Sequence, residues 1–267
     1  MRHAIYLPPL GPLADPVALV DLAVGAEDEG WDAVFLWDHI MRPAHEPAEI
    51  ADAWVALSAI ATKTTRIRLG PMVTPLVRRR PQKVAREIIT LDHLSRGRLT
   101  VGFGLGVQDT AELSAFGEMT VLAERVDALD EGCEVIAQLV AGESIDHVGA
   151  HYRASGVAFR PLPIQRPRPP IWLAARGRSP RALRRASRYE GIFPVNVTAD
   201  DVAWIREHIA AQREDTSSFD VAVVGFPGLD MDAFERSGAT WCAWSFIPGQ
   251  TPTDVADFVT GGPSRWI

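Results

Sequence analysis

Cysteine is scarce in this sequence: Cys133 and Cys242 are the only two among 267 residues. Both sit in apolar surroundings, which fits buried free thiols and leaves neither a disulfide framework nor a cluster of metal-binding thiols. No apolar run approaches the roughly 20 residues that span a bilayer. The N-terminal MRHAIYLPPLGPLADP also lacks a long apolar stretch after its basic residues, so a cytoplasmic location is expected. Positive charge is not in excess. The formal net charge is −7, and the basic residues are scattered apart from the cluster Arg78-Arg79-Arg80, which argues against nucleic acid or a membrane as the main partner. Neither HExxH nor GxSxG occurs, and the first apolar run carries only the single His3 where metal-dependent barrels often carry His-x-His. The expected chemistry therefore needs no metal, and relies on an organic cofactor or on none.

What is present is an alternation. Short, near-continuous apolar runs occur at 3–8, 33–38, 67–73, 99–106, 170–175, 191–196, 219–225 and 240–246, the pattern of strands buried on both faces of a parallel sheet. Segments of helical spacing separate them, several with proline at the start or glycine at the end. Eight such units in one chain of this length predict an α/β fold, a (β/α)8 TIM barrel spanning 1–267 as one domain. The stretch at about 143–169 is too long for an ordinary connection and reads as a small inserted hairpin with a proline-rich return before the fifth strand. A doubly wound sheet is the competitor, but Gly102-Phe103-Gly104-Leu105-Gly106 is spaced GxGxG and not GxGxxG.

In a barrel of this kind the chemistry gathers at the C-terminal ends of the strands. The second run, AVFLWDHI, stops at Asp38-His39, an ionisable pair at the barrel mouth suited to acid/base work. Asp-His recurs at Asp92-His93, at a helix end, and at Asp146-His147, inside the insertion, where structural roles are expected. The third run ends in GPMVTP, a constrained rim. Gly104 and Gly106 end the fourth, which suits either a flat ligand or tight packing. After the fifth come Arg176, Gly177, Ser179 and Pro180. They read either as a phosphate cradle or as a well-capped helix with exposed arginines.

Ordered blocks carry more than composition does. AEDEGWDAVFLWDHI, RIRLGPMVTPLVRRRP, TLDHLSRGRLTVGFGLG, AFGEM, LDEGCEVIAQLVAGESIDHVGAHY and PLPIQRPRPPIWLAARGRSPRALRRASRYEGIFP make the chain resemble the luciferase-like flavin-dependent oxidoreductases, the bacterial luciferase superfamily. The resemblance implies a (β/α)8 barrel with FMN, or a deazaflavin (coenzyme F420), at its mouth. The segment matching Met72-Val73 often holds a non-proline cis peptide against one face of the ring. Gly104, Leu105 and Gly106 would line the cofactor, the backbone of Ala174, Ala175, Arg176 and Gly177 would take its phosphate, and His39 matches the active-site histidine with Asp38 beside it. The leading expectation is a monooxygenase that uses reduced FMN and oxygen on a small organic substrate, with the flavin supplied by a separate reductase. The alternatives are F420-dependent hydride transfer and a non-catalytic flavin-binding relative. A homodimer is implied by the habits of the family. One departure is Val107, where many relatives carry glutamate or an aromatic residue just after the third glycine.

Overall fold

Apolar runs too short for helices become strands shielded on both faces. The computed structural model describes residues 1–41, 48–107 and 111–266. Its strands are β1 (Arg2–Leu7), β2 (Ala33–Leu36), β3 (Arg68–Pro71), β4 (Thr74–Pro75), β5 (Val101–Gly104), β6 (Ile145–Val148), β7 (Arg153–Val157), β8 (Ile171–Arg176), β9 (Gly191–Val195), β10 (Asp220–Gly225) and β11 (Trp241–Ser245). The helices are α1 (Pro16–Asp28), α2 (Ala53–Lys63), α3 (Pro81–Leu94), α4 (Leu122–Ala141), α5 (Pro180–Ala186), α6 (Ala199–Ala210), α7 (Met231–Arg236) and α8 (Pro252–Val259).

All strands but β6 and β7 form one parallel sheet in the order β3-β2-β1-β11-β10-β9-β8-β5-β4. The two ends of that order, β3 and β4, are separated in the chain only by Met72 and Val73, whose peptide bond is cis. Leu69 of β3 also bridges Leu99 just ahead of β5. The two pieces are therefore one stave, and the sheet closes into the eight-staved barrel that the alternation predicts.

Strand alternation sorts the core into two layers. Val34, Leu36, Ile5, Leu7 and Cys242 face outward against the helices, in a large cluster of buried residues. Ala4, Ala33, Phe35, Trp172, Phe193, Ala222, Trp241 and Ala243 face inward. Four alanines leave room for large rings: Trp172 lies 5.6 Å from both Phe35 and Trp241. This aromatic plug fills the barrel interior beneath the mouth.

Local sequence explains where helices begin. Asp15, Asp52 and Asp230 accept hydrogen bonds from the first turns of α1, α2 and α7, and Thr198 with Asp201 and Thr251 with Asp254 form capping boxes on α6 and α8. Both cysteines are buried free thiols. Between α4 and β8, β6 and β7 make an antiparallel hairpin. Glu131 of α4 holds it, accepting from His147 Nε2 (2.9 Å) and from the amides of His151 (3.0 Å) and Tyr152 (2.7 Å). Asp92 anchors the return through the amides of Ile164 (2.6 Å) and Gln165 (3.0 Å), and His93 bonds the carbonyl of Leu162 (2.8 Å). The second and third Asp-His pairs thus have structural roles. Among the described residues no helix is long and apolar enough to cross a membrane.

Candidate active site

A cavity of about 660 Å3 opens at the C-terminal end of the barrel. Asp38, His39, Met72, Val73, Gly104, Leu105, Gly106, Ala174, Ala175 and Arg176 all line it. Of the residues that the family resemblance assigns to catalysis or to the cofactor, only Gly177 is not on its wall. With φ +52° it turns the chain away from β8 toward Ser179, the cap of α5. Gly104 resolves toward close packing: a Cβ there would lie 2.8 Å from Val73 Cγ2 and 3.3 Å from Ala174 Cβ. Gly106 takes φ +77°, which favours glycine outright.

Asp38 and His39 are neighbours in sequence but join different partners. Asp38 is 5% exposed. Its carboxylate accepts from Thr74 Oγ1 (2.7 Å), Trp54 Nε1 (3.1 Å), Arg78 Nη2 (2.8 Å) and Arg79 Nη1 (3.4 Å). A carboxylate surrounded by four donors, two of them guanidinium groups, is fixed in place. It ties the end of β2 to the stave made by β3 and β4.

His39 turns the other way, toward a residue that sequence reading passed over. Its Nδ1 lies 3.1 Å from both carboxylate oxygens of Glu112. Glu112 also accepts from the amides of Ile40 (2.8 Å) and Met41 (3.2 Å) and is only 2% exposed. Burial by itself would raise its pKa. The hydrogen bond and charge of His39, with the two amides, outweigh that and bring the carboxyl down to about 2. Arg78 links the two acids: it bonds Asp38 through Nη2, while its Nη1 lies 3.6 Å from Glu112. With Glu112 ionised, Nδ1 carries the proton toward it and the other ring nitrogen, Nε2, is left to exchange protons. Attention at the sequence level went to Val107, directly after the GxGxG run. The useful signal was an isolated acid five residues further on, in AELSAF, whose apolar neighbours foretell burial.

The opposite side of the mouth is cationic. Arg125, in the first turns of α4, is 1% exposed, and its Nη1 donates to the carbonyl of Leu105 (3.1 Å). Its buried Nε has no partner, and among the described residues no carboxylate pairs with it. Desolvation lowers its pKa, so the site favours an anion that would compensate the charge. Arg181 and Arg185 continue the wall into a groove shared with Arg184, Arg188 and Asp130. These arginines recur at helical spacing on α5 and just beyond it, a second basic cluster that does not stand out as a run in the sequence. Asp130 accepts from Arg185 and Arg181, and Arg188 lies 3.9 Å away. Arg176, assigned to the phosphate from sequence, is exposed at the rim. Ser179 Oγ caps α5 at 3.4 Å, a long contact on a helix of only seven residues.

These residues suit a flavin-like group. The orphan guanidinium of Arg125 fits a phosphate, and Met72, Val73 and Gly104 line the same cavity.

The F420-dependent glucose-6-phosphate dehydrogenase of Microbacterium testaceum is 33% identical over 174 residues, covering 65% of this chain and 50% of its own. The chain thus spans about half the length of the curated relatives it matches. Among solved structures, an F420-dependent secondary alcohol dehydrogenase in complex with an F420-acetone adduct superposes with a TM-score of 0.83 at 17% identity, over 98% of both chains. A monooxygenase from Streptomyces bottropensis gives 0.70 at 24% identity, over 97% of this chain and 78% of its own. At those identities the likeness concerns the fold. The model of the luciferase-like monooxygenase family matches residues 6–235, nearly the whole barrel with its cis turn and the β2 histidine, and the chain belongs to that family.

Proposed function

We propose that the protein is an F420-dependent oxidoreductase in which His39 exchanges the hydroxyl proton of a substrate while a hydride moves between that substrate and the deazaflavin. The observation that carries this reading is the His39–Glu112 pair. A buried, ionised Glu112 holding Nδ1 sets the imidazole tautomer and leaves Nε2 as a base on the cavity side. The deazaflavin, when bound, supplies a ring carbon that accepts or returns a hydride. Asp38 then acts as a positioning residue: its four donors fix the β2 end from which His39 projects.

The curated relatives support F420 over the FMN-and-oxygen chemistry that led the expectations from sequence. The cofactor's phosphate would meet Arg125, with Arg181 and Arg185 beyond it. The additional cations Arg184 and Arg188 lie further along the same groove, more charge than a single phosphate needs. That excess fits a coenzyme whose anionic chain continues past the phosphate better than one that ends there.

The test is a pair of fluorescence titrations with F420 and with FMN, each oxidised and reduced. Tighter binding of F420 by at least tenfold is expected. A preference for reduced FMN, with oxygen consumption in the presence of a flavin reductase, would replace this reading with the monooxygenase one.

A further inference from the structure

The one run of three basic residues, Arg78-Arg79-Arg80, buries its first member. Arg78 ends a short turn after β4, and its side chain is 4% exposed. It is not on the cavity wall, so any effect on the chemistry passes through other residues. Its guanidinium spans both ends of the proton-exchanging pair. Nη2 donates to the main-chain carbonyl of Asp38 (2.9 Å) and to its carboxylate (2.8 Å), and the first of these bonds fixes the peptide from which His39 projects. Nη1, the other arm of the fork, lies 3.6 Å from Glu112 Oε1 and has no hydrogen-bond partner.

The two acids depend on Arg78 differently. Asp38 has further donors in Thr74, Trp54 and Arg79. Glu112 has ion-pair contacts with two described residues, His39 and Arg78. It approaches β2 from a segment in which Ala111 takes φ +54°. That conformation is disfavoured for a residue with a Cβ and persists only where surrounding contacts hold it. A cation between the two carboxyl groups also removes the like-charge repulsion that would push Glu112 away from Nδ1. We infer that Arg78 is a positioning residue for the acid–base pair: one arm of its fork anchors the peptide carrying His39, and the charge of the other keeps the Glu112 carboxylate beside Nδ1. A lysine would keep the charge but present a single point on a flexible stem, able to meet one acid without holding both.

The inference rests on the reading of His39 as the base, and not on the identity of the cofactor. Its test needs neither cofactor nor substrate. In protein labelled with nitrogen-15 histidine, at a pH where the ring is neutral, long-range proton–nitrogen correlation spectra read which ring nitrogen of His39 carries the proton, with His39→Gln assigning the signal. In the wild type the Nδ1–H tautomer should exceed the other by about tenfold or more, the worth of a charge-assisted hydrogen bond. Arg78→Lys and Arg78→Met should each lower that ratio by at least about threefold, the worth of a modest hydrogen bond. Arg79→Lys, which alters a guanidinium that meets Asp38 and Glu87, should leave it unchanged. Should Arg78→Met not fold, having left two buried acids without their cation, Arg78→Lys carries the test on its own. With the wild-type ring protonated at Nδ1, an unchanged ratio in Arg78→Lys, or an equal fall in Arg79→Lys, overturns the inference and leaves the base reading intact. A wild-type ring protonated at Nε2 overturns both. If the ratios behave as expected and F420 does not bind, the cofactor reading falls and the role of Arg78 stands.

Discussion

The two sides of the barrel mouth handle buried charge in opposite ways. On the β2 side every ion has a counter-ion in contact: Asp38 with Arg78 and Arg79, Glu112 with His39 and near Arg78, Arg79 with Glu87 at 2.7 Å. On the α4–α5 side Arg125 is as deeply buried, yet among the described residues it meets only carbonyl oxygens and keeps one orphan nitrogen. A buried charge with a counter-ion in contact sets geometry even where one nitrogen, as at Arg78 Nη1, lacks a hydrogen bond, whereas a buried charge without a counter-ion is stabilised by a ligand that supplies one. On the proposed reading the first side serves proton exchange and the second anion capture.

Substitutions on the two sides should therefore separate catalysis from binding. The largest effect is expected for His39→Ala: kcat falls by about 10²–10⁴-fold, the range of a lost general base, while cofactor affinity measured by fluorescence changes less than tenfold. A larger affinity change would mean that His39 belongs to the binding side. Glu112→Gln should lower kcat/KM by roughly 10–100-fold, the loss of a charge-assisted hydrogen bond of about 1–3 kcal/mol. An unchanged kcat/KM would reduce Glu112 to a loop anchor.

Arg125→Met reverses that signature. Cofactor affinity should drop by about 1–3 kcal/mol with kcat at saturation little changed, and the protein itself should be no less stable, since an uncompensated buried charge has been removed. Arg176→Ala, at the exposed rim, should weaken binding by well under half as much. The smallest effect should come from Arg184→Ser combined with Arg188→Ser. Exposed cations are worth about 0.2–1 kcal/mol each, and the difference from wild type should vanish as salt rises.

Acid provides a further contrast. Glu112 titrates near 2 in the folded protein, below an ordinary glutamate. A depressed carboxylate contributes stability that is complete above its unfolded pKa and is lost as pH falls through the folded one. The wild type should lose stability between about pH 4.5 and 2, and Glu112→Gln should lose less over that interval. Equal losses in urea titrations would show that the depression lies in other carboxylates.

How much of this was written in the chain differs by element. The strand runs were legible because burial on both faces leaves no polar alternation to confuse with a helix. AVFL became β2 and WCAWS became β11 as the pattern implied. His39 was legible by position alone, one step past a strand that could only end at the mouth. Asp38 was legible as a site residue, but its partners Thr74, Arg78 and Arg79 lie some forty residues on, and only closure of the β3–β4 stave brings them within reach. Glu112 was legible only as an acid among apolar neighbours, and its partner was not legible, since its bond to His39 crosses 73 residues of sequence. The arginines of α5 were hidden differently: spacings of three and four residues, as from Arg181 to Arg184 and Arg185, separate them in the string and align them on the helix.

By itself the sequence determined the local matters: which segments are strands, where caps begin helices, that a histidine closes the second strand, and to which family the chain belongs. Those follow from hydrophobic period and from hydrogen bonds between residues a few positions apart. The tertiary structure alone decided which charges meet. It gave Asp38 to the wall and His39 to Glu112, and left Arg125 without a carboxylate among the described residues, because closing eight staves into a ring makes neighbours of residues that no local spacing relates.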